Sequence, residues 1–133
     1  MEKQEKAYTI GHSRVDIQTF IGLLKTVDIE TVIDCRSRPR SRWWWFNEAR
    51  LSQYLADANI QYEWRGSSIG GYGRGEDYDE VLDELAERIS DGEKLALTCS
   101  EGLPQNCHRG TELAPELEAR GVEVEHLIYG VQR

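Results

Sequence analysis

Short apolar runs alternate along the chain with longer segments in which apolar residues recur every three or four positions. The short runs are rich in β-branched and aromatic residues, and they predict five strands, at residues 7–10, 31–34, 60–64, 95–98 and 122–128. The longer segments predict four amphipathic helices, with apolar faces within residues 17–24, 51–58, 78–89 and 113–117. Strands and helices therefore follow one another in turn along the chain.

This order of elements predicts the fold class. A strand, a helix and a second strand in succession favour a parallel strand pair, because the helix crosses back over the sheet. We therefore expect a three-layer α/β/α, Rossmann-like fold with a mostly parallel sheet of about five strands. Residues 1–6 are expected to be a flexible leader and residues 7–133 a single α/β domain. Pro115 predicts a kink or a late start in the last helix, and the glycines of residues 66–75 predict a flexible loop.

Parallel strands all point the same way, so the residues that follow them meet at one edge of the sheet. In α/β proteins this carboxyl edge is where ligands bind. The segments after the first, second and fourth predicted strands therefore share a rim. The residues expected there are His12, Asp34, Cys35, Arg36, Cys99 and Glu101, with Cys107, His108 and Arg109 close by.

Charge and composition narrow the function. The 133-residue chain has a net charge of −8, which argues against a general nucleic-acid-binding protein. Residues 76–93 contain nine acidic side chains and one basic one, whereas residues 35–50 contain five arginines and one glutamate. No apolar run approaches the ~20 residues of a membrane span, and the polar N-terminus shows no signal peptide. We therefore expect a cytoplasmic protein that does not enter a membrane. Three cysteines are too few for a disulfide scaffold and favour reduced thiols.

The stretch from Cys99 to Arg109 concentrates the reactive side chains at a predicted strand-to-helix turn. Backbone N–H groups at a helix start attract anions and lower the pKa of a nearby thiol. We therefore expect Arg109 and Arg36 to bind an anionic group and Cys107 to be a nucleophile or a structural thiol. The candidates for proton transfer or ligand orientation are Glu101, Asp34 and His12, and His108 and Cys99 are candidate ligand contacts.

Each of these residues also has a plainer interpretation. Cys107 can pack as a small apolar residue, and Arg109 can form an internal ion pair. Asp34 can pair with Arg36 or Arg109 instead of acting on a ligand. A zinc site built from both cysteines, His108 and His12 has suitable residue types but not the usual ligand spacing. The C-x₇-C spacing also differs from that of redox motifs, and a phosphatase-type loop would need arginine where Gln105 stands.

The loop of residues 36–46 alternates arginines with small residues and ends in three tryptophans and a phenylalanine. Arginines for phosphates and aromatic rings for bases are typical of a nucleic-acid contact. The alternative is a lid, with Arg36 and Arg42 facing the site, or an interface between two copies. A homodimer would then form through Trp43, Trp44 and Trp45. The acidic net charge favours the lid or the interface.

Four motifs in this order resemble the domain-of-unknown-function 488 family, a group of uncharacterised prokaryotic α/β proteins. They are Tyr8-Thr-Ile-Gly-His12-Ser13, Asp34-x-Arg36, Ile69-Gly-Gly71 and Cys99-x-Glu101…Cys107-His108-Arg109. The resemblance implies an α/β fold and the importance of these motifs. It adds Ser13, Gly71 and Arg42 to the candidate ligand-binding residues, but implies no reaction and no cofactor.

The leading hypothesis is a protein that binds an anionic small molecule, a nucleotide or a phosphorylated metabolite, at the carboxyl edge and hydrolyses or transfers it. One alternative is a non-catalytic nucleic-acid-binding module that uses the loop of residues 36–46. Another is a zinc or thiol-redox protein. No metal site is predicted, and the sequence identifies no cofactor.

Overall fold

A computed structural model describes residues 6–12, 14–71, 73–100 and 107–130 of the chain. The strands are β1 (Lys6–Gly11), β2 (Thr31–Asp34), β3 (Gln61–Trp64), β4 (Leu95–Cys99) and β5 (Glu123–Leu127). The helices are α1 (Ile17–Lys25), α2 (Glu48–Asp57), α3 (Gly66–Ile69), α4 (Tyr78–Ser90) and α5 (Ala114–Ala119). A 3₁₀ turn at Trp44–Phe46 precedes α2, and a π-helical turn at Arg109–Leu113 precedes α5.

The five strands form one parallel sheet in the order β3-β2-β4-β1-β5. Its two faces carry separate hydrophobic cores. Phe20, Leu51 and Phe46 pack from α1, α2 and the 3₁₀ turn on one face, whereas Leu82 and Leu117 pack from α4 and α5 on the other. The three-layer α/β architecture predicted from the strand and helix order is therefore confirmed. Among the described residues, no helix is long and apolar enough to cross a membrane.

Local sequence signals explain several element boundaries. The carboxylate of Asp16 accepts the backbone N–H of Thr19 at 2.7 Å and so begins α1. Pro115 lies in the first turn of α5, where its missing N–H costs no helical hydrogen bond. The predicted late start of this helix is therefore confirmed, and the π-helical turn occupies the residues before it.

Two expectations need correction. Lys6 is the first residue of β1, with its side chain paired to Glu125 at 3.1 Å, so it is not part of a leader; residues 1–5 lie outside the described part. The glycine-rich segment is not simply a flexible loop, because it begins with α3. A Cβ on Gly66 would collide with the backbone carbonyl of Arg36, so this glycine permits a close contact between two segments.

Candidate functional site

The carboxyl ends of β1, β2 and β4 lie side by side, as the strand order predicts. In the sheet register Gly11 lies opposite Cys99, and Asp34 lies opposite Thr98. The pairing continues past the strands, since the His12 N–H donates to the Cys99 carbonyl at 3.0 Å and the Cys35 N–H donates to the Thr98 carbonyl at 2.9 Å. β4 thus ends between its two neighbours. The segments after β1 and β2 cross one face of the sheet and the segment after β4 crosses the other, which is the arrangement that opens a crevice in doubly wound sheets.

The side chains at this edge separate into two groups, because neighbouring residues of a strand point to opposite faces. Asp34 lies on the face of α1 and α2, and Cys35 packs with the core beneath α4 and α5. We call the first group the Asp34 cluster and the second the thiol cluster. The Asp34 cluster comprises His12, Asp34, Arg36, Phe46 and Tyr62, and the thiol cluster comprises Cys35, Cys99, Cys107, His108 and Arg109.

Asp34 and Arg36 form a buried ion pair in the Asp34 cluster. The Arg36 Nη2 and Nε atoms donate to the two carboxylate oxygens of Asp34 at 2.7 and 2.9 Å. The Tyr62 hydroxyl donates to the same carboxylate at 2.6 Å, and Arg36 Nη1 donates to the Phe46 carbonyl at 2.7 Å. Both side chains are at most 4% exposed. Burial and the Asp34 charge raise the pKa of Tyr62, so its hydroxyl keeps its proton.

The contacts of the Asp34 cluster bear on three candidate residues. Asp34 has the ion pair with Arg36 that the sequence analysis held open as an alternative to proton transfer. The guanidinium of Arg36 is directed at protein acceptors, so it serves to hold the β2 loop against the 3₁₀ turn. His12 lies in the same cluster, 4% exposed, with its ring stacked on Phe46 at a centroid separation of 4.2 Å.

The thiol cluster contains a contact that corrects the expectation of three reduced thiols. The structure joins the sulfur atoms of Cys99 and Cys107 in a disulfide, with their Cα atoms 7.3 Å apart. Cys35 remains a free, buried thiol, and burial raises its pKa above the usual value. The cysteine count could not show this pairing, because it depends on how the end of β4 meets the start of the next helical segment.

Arg109 lies next to this sulfur pair. Its side chain is fully buried, and Nη1 donates to Cys99 Sγ at 3.0 Å. The positive charge of Arg109 also lowers the pKa of His126 in β5, although burial is the larger cause of that shift. Arg109 therefore places a buried cation beside the end of β4, and its charge acts as far as His126 on β5.

His108 is oriented by a backbone carbonyl. Its Nε2 lies 3.1 Å from the Ile69 carbonyl oxygen, and its Nδ1 lies 3.7 Å from Cys107 Sγ. A carbonyl only accepts, so Nε2 carries the proton and Nδ1 of the neutral ring presents a lone pair to Cys107. Burial lowers the pKa of His108 despite the hydrogen bond to Ile69, so the neutral ring is favoured. Once the disulfide is reduced, this geometry suits Nδ1 to accept a proton from the Cys107 thiol.

Gly71 lies against His108 on the side of the β3–α4 connection. A Cβ at position 71 would approach His108 Nδ1 to 3.1 Å, so glycine keeps this face of the ring open. The Ile69-Gly-Gly71 motif thus supplies the carbonyl that orients His108 and the space beside its ring. Gly71, a predicted ligand contact, therefore lies beside His108 in the structure.

The loop of residues 36–46 folds onto the body of the protein at two of its three tryptophans. Trp45 Nε1 donates to the Val15 carbonyl at 3.0 Å, and Trp43 packs against the core beside it. Trp44 instead is 54% exposed, with the Arg50 guanidinium 5.7 Å from its ring centroid. Arg42 is exposed and lies 5.9 Å from the Trp43 ring centroid.

Some predictions fall where the structure gives no description. Glu101 and Ser13, the remaining candidates for proton transfer and ligand contact, lie outside the described residues. Within the described ranges, no group of three or more histidine, cysteine or acidic side chains is arranged to hold a metal ion.

Sequence reasoning missed three participants in these clusters. Tyr62 lies in β3 and its hydroxyl reaches Asp34 at the end of the neighbouring strand, β2. The alternation of side chains along the two strands could have placed both residues on one face of the sheet. Phe46 acts through its ring and its carbonyl, and the Ile69 carbonyl orients His108. No residue type signals a backbone carbonyl, so the last two contacts required the fold.

The family model described as Domain of unknown function DUF488 matches residues 16–78. This match confirms the family resemblance seen in the motifs, over the segment from α1 to the start of α4. No curated protein and no solved structure matches the chain.

Proposed function

We propose that this chain, with its DUF488 match over residues 16–78, is a thiol-dependent transferase or hydrolase. It binds an anionic small molecule, a nucleotide or a phosphorylated metabolite, at the carboxyl edge of the sheet. In the reduced protein Cys107 is the nucleophile and His108 is its base. Glu101 stays the candidate for protonating the leaving group.

The contact between Cys107 and His108 carries this proposal. A cysteine nucleophile needs a base within reach and a third group that orients the base. The Nδ1 atom of His108 lies 3.7 Å from Cys107 Sγ, and the Ile69 carbonyl orients the ring from its other side. The neutral state favoured by burial is the state that can accept the thiol proton.

The preference for an anion rests on the distribution of positive charge. Arg109 places a buried guanidinium beside the sulfur atoms, and Arg40 and Arg42 are exposed on the loop that follows β2. A positive charge beside the nucleophile stabilises both a thiolate and a phosphate or carboxylate ligand. Of the two arginines expected to clamp the anion, Arg36 is directed at Asp34 and Phe46. We retain Arg109 for the positive charge that it places beside the sulfur atoms, and not for a direct contact, because its side chain is fully buried.

The proposed chemistry requires Cys107 as a thiol, which fits the cytoplasmic location expected from the sequence, since that compartment keeps thiols reduced. The test is alkylation of the reduced protein with iodoacetamide, followed by mass spectrometry of each cysteine. We expect Cys107 to react at least ~10-fold faster than Cys35, whose buried thiol has a raised pKa. His108→Asn is expected to remove most of this difference.

The same assay tests the ligand class. Inorganic phosphate, adenosine nucleotides and sugar phosphates are added in turn, and a bound anion is expected to slow the alkylation of Cys107 and raise the melting temperature. Equal alkylation rates at Cys107 and Cys35 would refute the nucleophile. If no compound of the panel slows the labelling of Cys107 or raises the melting temperature, the proposal of an anionic ligand is refuted.

Exposed Trp44 favours one second candidate, the binding of single-stranded nucleic acid. Its ring is open to solvent, and Arg50 and Arg42 flank the tryptophan segment with positive charge. Quenching of tryptophan fluorescence by an oligothymidylate at low salt, lost in Trp44→Ala, would support it. A concentration-dependent dimer that the same substitution dissociates would instead identify the homodimer predicted through Trp43, Trp44 and Trp45.

A further inference from the structure

The Cys99–Cys107 pair joins two structural elements over a short sequence interval. Cys99 ends β4, and Cys107 stands eight residues later, just before the π-helical turn. A bond that closes so short a loop restricts the unfolded chain less than a long-range bond does. The domain also has two extensive apolar cores, one on each face of the sheet. The fold therefore does not depend on this bond as a small disulfide scaffold would.

The surroundings of Cys99 favour the reduced state of the pair. Arg109 Nη1 donates to Cys99 Sγ at 3.0 Å from a fully buried guanidinium. The sulfur of a disulfide is neutral, whereas a thiolate accepts a charge-assisted hydrogen bond from the same donor. A buried cation thus stabilises the Cys99 thiolate, and a disulfide whose reduced form is stabilised is reduced more readily.

The two sulfurs differ in accessibility and in their neighbours. Cys107 is 9% exposed and has the imidazole of His108 beside it, whereas Cys99 is 3% exposed and has Arg109. We therefore take Cys107, the more exposed of the two residues, as the one that an incoming thiolate attacks. The sulfur that leaves is then Cys99, and a leaving thiolate with a lowered pKa departs faster.

From these contacts we infer that Cys99 and Cys107 are a thiol–disulfide exchange site whose co-reactant is a low-molecular-weight thiol. The thiolate of the co-reactant attacks Cys107 Sγ, the Cys99–Cys107 bond breaks, and Cys99 leaves as a thiolate held by Arg109. The thiolate of a second co-reactant molecule then attacks the small-molecule sulfur of the mixed disulfide, and Cys107 leaves as a thiolate. In total, one protein disulfide and two thiols give two protein thiols and one small disulfide.

Exchange has a consequence for activity, and this consequence rests on the proposed function. The disulfide blocks Cys107, and reduction restores it as the nucleophile beside His108. The exchange itself does not depend on any reaction at a bound anion. The two proposals can therefore fail separately.

The test equilibrates the purified protein with mixtures of reduced and oxidised glutathione and counts thiols by maleimide labelling and mass spectrometry. We expect Cys99 and Cys107 to pass together between dithiol and disulfide as the glutathione ratio changes. In Cys99→Ser the mixed disulfide with glutathione is expected to accumulate on Cys107. Cys35→Ala is the matched control, and it should leave the transition unchanged.

Arg109 is tested by its effect on the midpoint. In Arg109→Gln we expect a glutathione ratio about tenfold more reducing to be needed at the midpoint. Arg65→Gln, the same change at an arginine paired with Glu63 and Glu84, should not move it. Arg109→Lys keeps the positive charge, so we expect its midpoint to lie close to that of the wild type. If the glutamine variant does not fold, the lysine variant takes its place in the comparison.

Three results would overturn the exchange site: thiol counts that do not change with the glutathione ratio, a mixed disulfide on Cys35 in place of Cys107, or equal midpoints for Arg109→Gln and the wild type. A regular transition combined with no protection of Cys107 by phosphate compounds would refute the anionic ligand alone. Protection of the reduced protein without a transition would refute the exchange site alone.

Discussion

At the scale of single residues, the candidate site is built from short-range partners with different functions. Asp34 and Arg36 are two positions apart, at the end of β2, and satisfy each other in a buried pair. Cys107 and His108 are adjacent and form the contact on which the proposed nucleophile rests. The sequence alone therefore does not distinguish a side chain proposed to react from one that stabilises the fold. The contacts that each side chain makes in the structure distinguish them.

The buried pair predicts a large loss of stability when one partner is removed. In Arg36→Ala the Asp34 carboxylate stays buried and loses its cation, so we expect the free energy of unfolding to fall by about 3–5 kcal/mol. Urea denaturation followed by circular dichroism measures this change. The matched control is Arg65→Ala, because Arg65 is 26% exposed and its pairs with Glu63 and Glu84 are partly solvated. A loss of about 1 kcal/mol or less is expected there. Equal losses for both variants would contradict the structural role of Arg36.

At the scale of elements, the connection between β3 and α4 contacts both clusters of the candidate site. α3 holds Ile69, whose carbonyl orients His108, and Gly66, whose backbone contacts the carbonyl of Arg36. The Trp64 indole N–H also donates to this Arg36 carbonyl at 2.7 Å. The glycines of this segment serve close packing between the Asp34 cluster and the thiol cluster, in addition to any flexibility.

This packing predicts opposite effects for two glycine-to-alanine substitutions. In Gly66→Ala the new Cβ collides with backbone, which cannot move aside as a side chain can, so we expect a loss of about 1–3 kcal/mol or more. In Gly22→Ala nothing lies within 4 Å of the new Cβ, and the position is an exposed one in α1. There we expect a gain of about 0.5–1 kcal/mol from helix propensity. Thermal and urea denaturation of both variants check the signs; a stable Gly66→Ala protein would contradict the close contact.

The elements also show how far sequence reasoning reaches in this protein. The alternation of strands and helices along the chain and the late start at Pro115 follow from local patterns, and the structure confirms them. The shared carboxyl edge follows from parallel strands alone. The division of that edge into two clusters follows from the alternation of side chains along each strand, whereas the meeting of Cys99 with Cys107 and the contact of His108 with the Ile69 carbonyl depend on the fold. Composition and spacing carry no information on such contacts.

At the scale of the whole molecule, the acidic net charge of −8 conceals organised surface pairing. Arg88 on α4 bridges carboxylates from β3, from the segment before β4 and from its own helix, with contacts of 2.6–3.2 Å to Glu63, Glu93 and Glu84. Arg120 makes a second set of pairs with Asp79, Asp83 and Glu116. The acidic surface of α4 is therefore tied to the sheet and to α5 by a few arginines.

Two partly buried histidines give the whole molecule a predictable response to mild acid. Burial lowers the pKa of both His108 and His126, with Arg109 adding to the effect, whereas Glu112 opposes it at His108 and Glu118 at His126. The unfolded chain binds protons at these rings near their ordinary pKa of about 6.5. Between that value and the lower folded-state values the unfolded state holds more protons. Stability contributed by the neutral rings is therefore present above about pH 6.5 and is lost as the pH falls below it.

The free energy of unfolding is accordingly expected to fall as the pH is lowered from 7.5 to 5.5, before the carboxylates are protonated. The pKa of Glu63 and Glu93 is lowered by hydrogen bonds from Arg88, so their contribution is lost only at more acidic pH, as the pH falls through those lowered values. Urea denaturation at half-unit pH intervals measures the slope. His126→Gln is expected to reduce the slope between pH 7.5 and 5.5 and to leave the loss at more acidic pH unchanged. A slope that persists unaltered in His126→Gln and His108→Asn would show that groups other than these two rings take up the protons, and would refute this origin of the acid sensitivity.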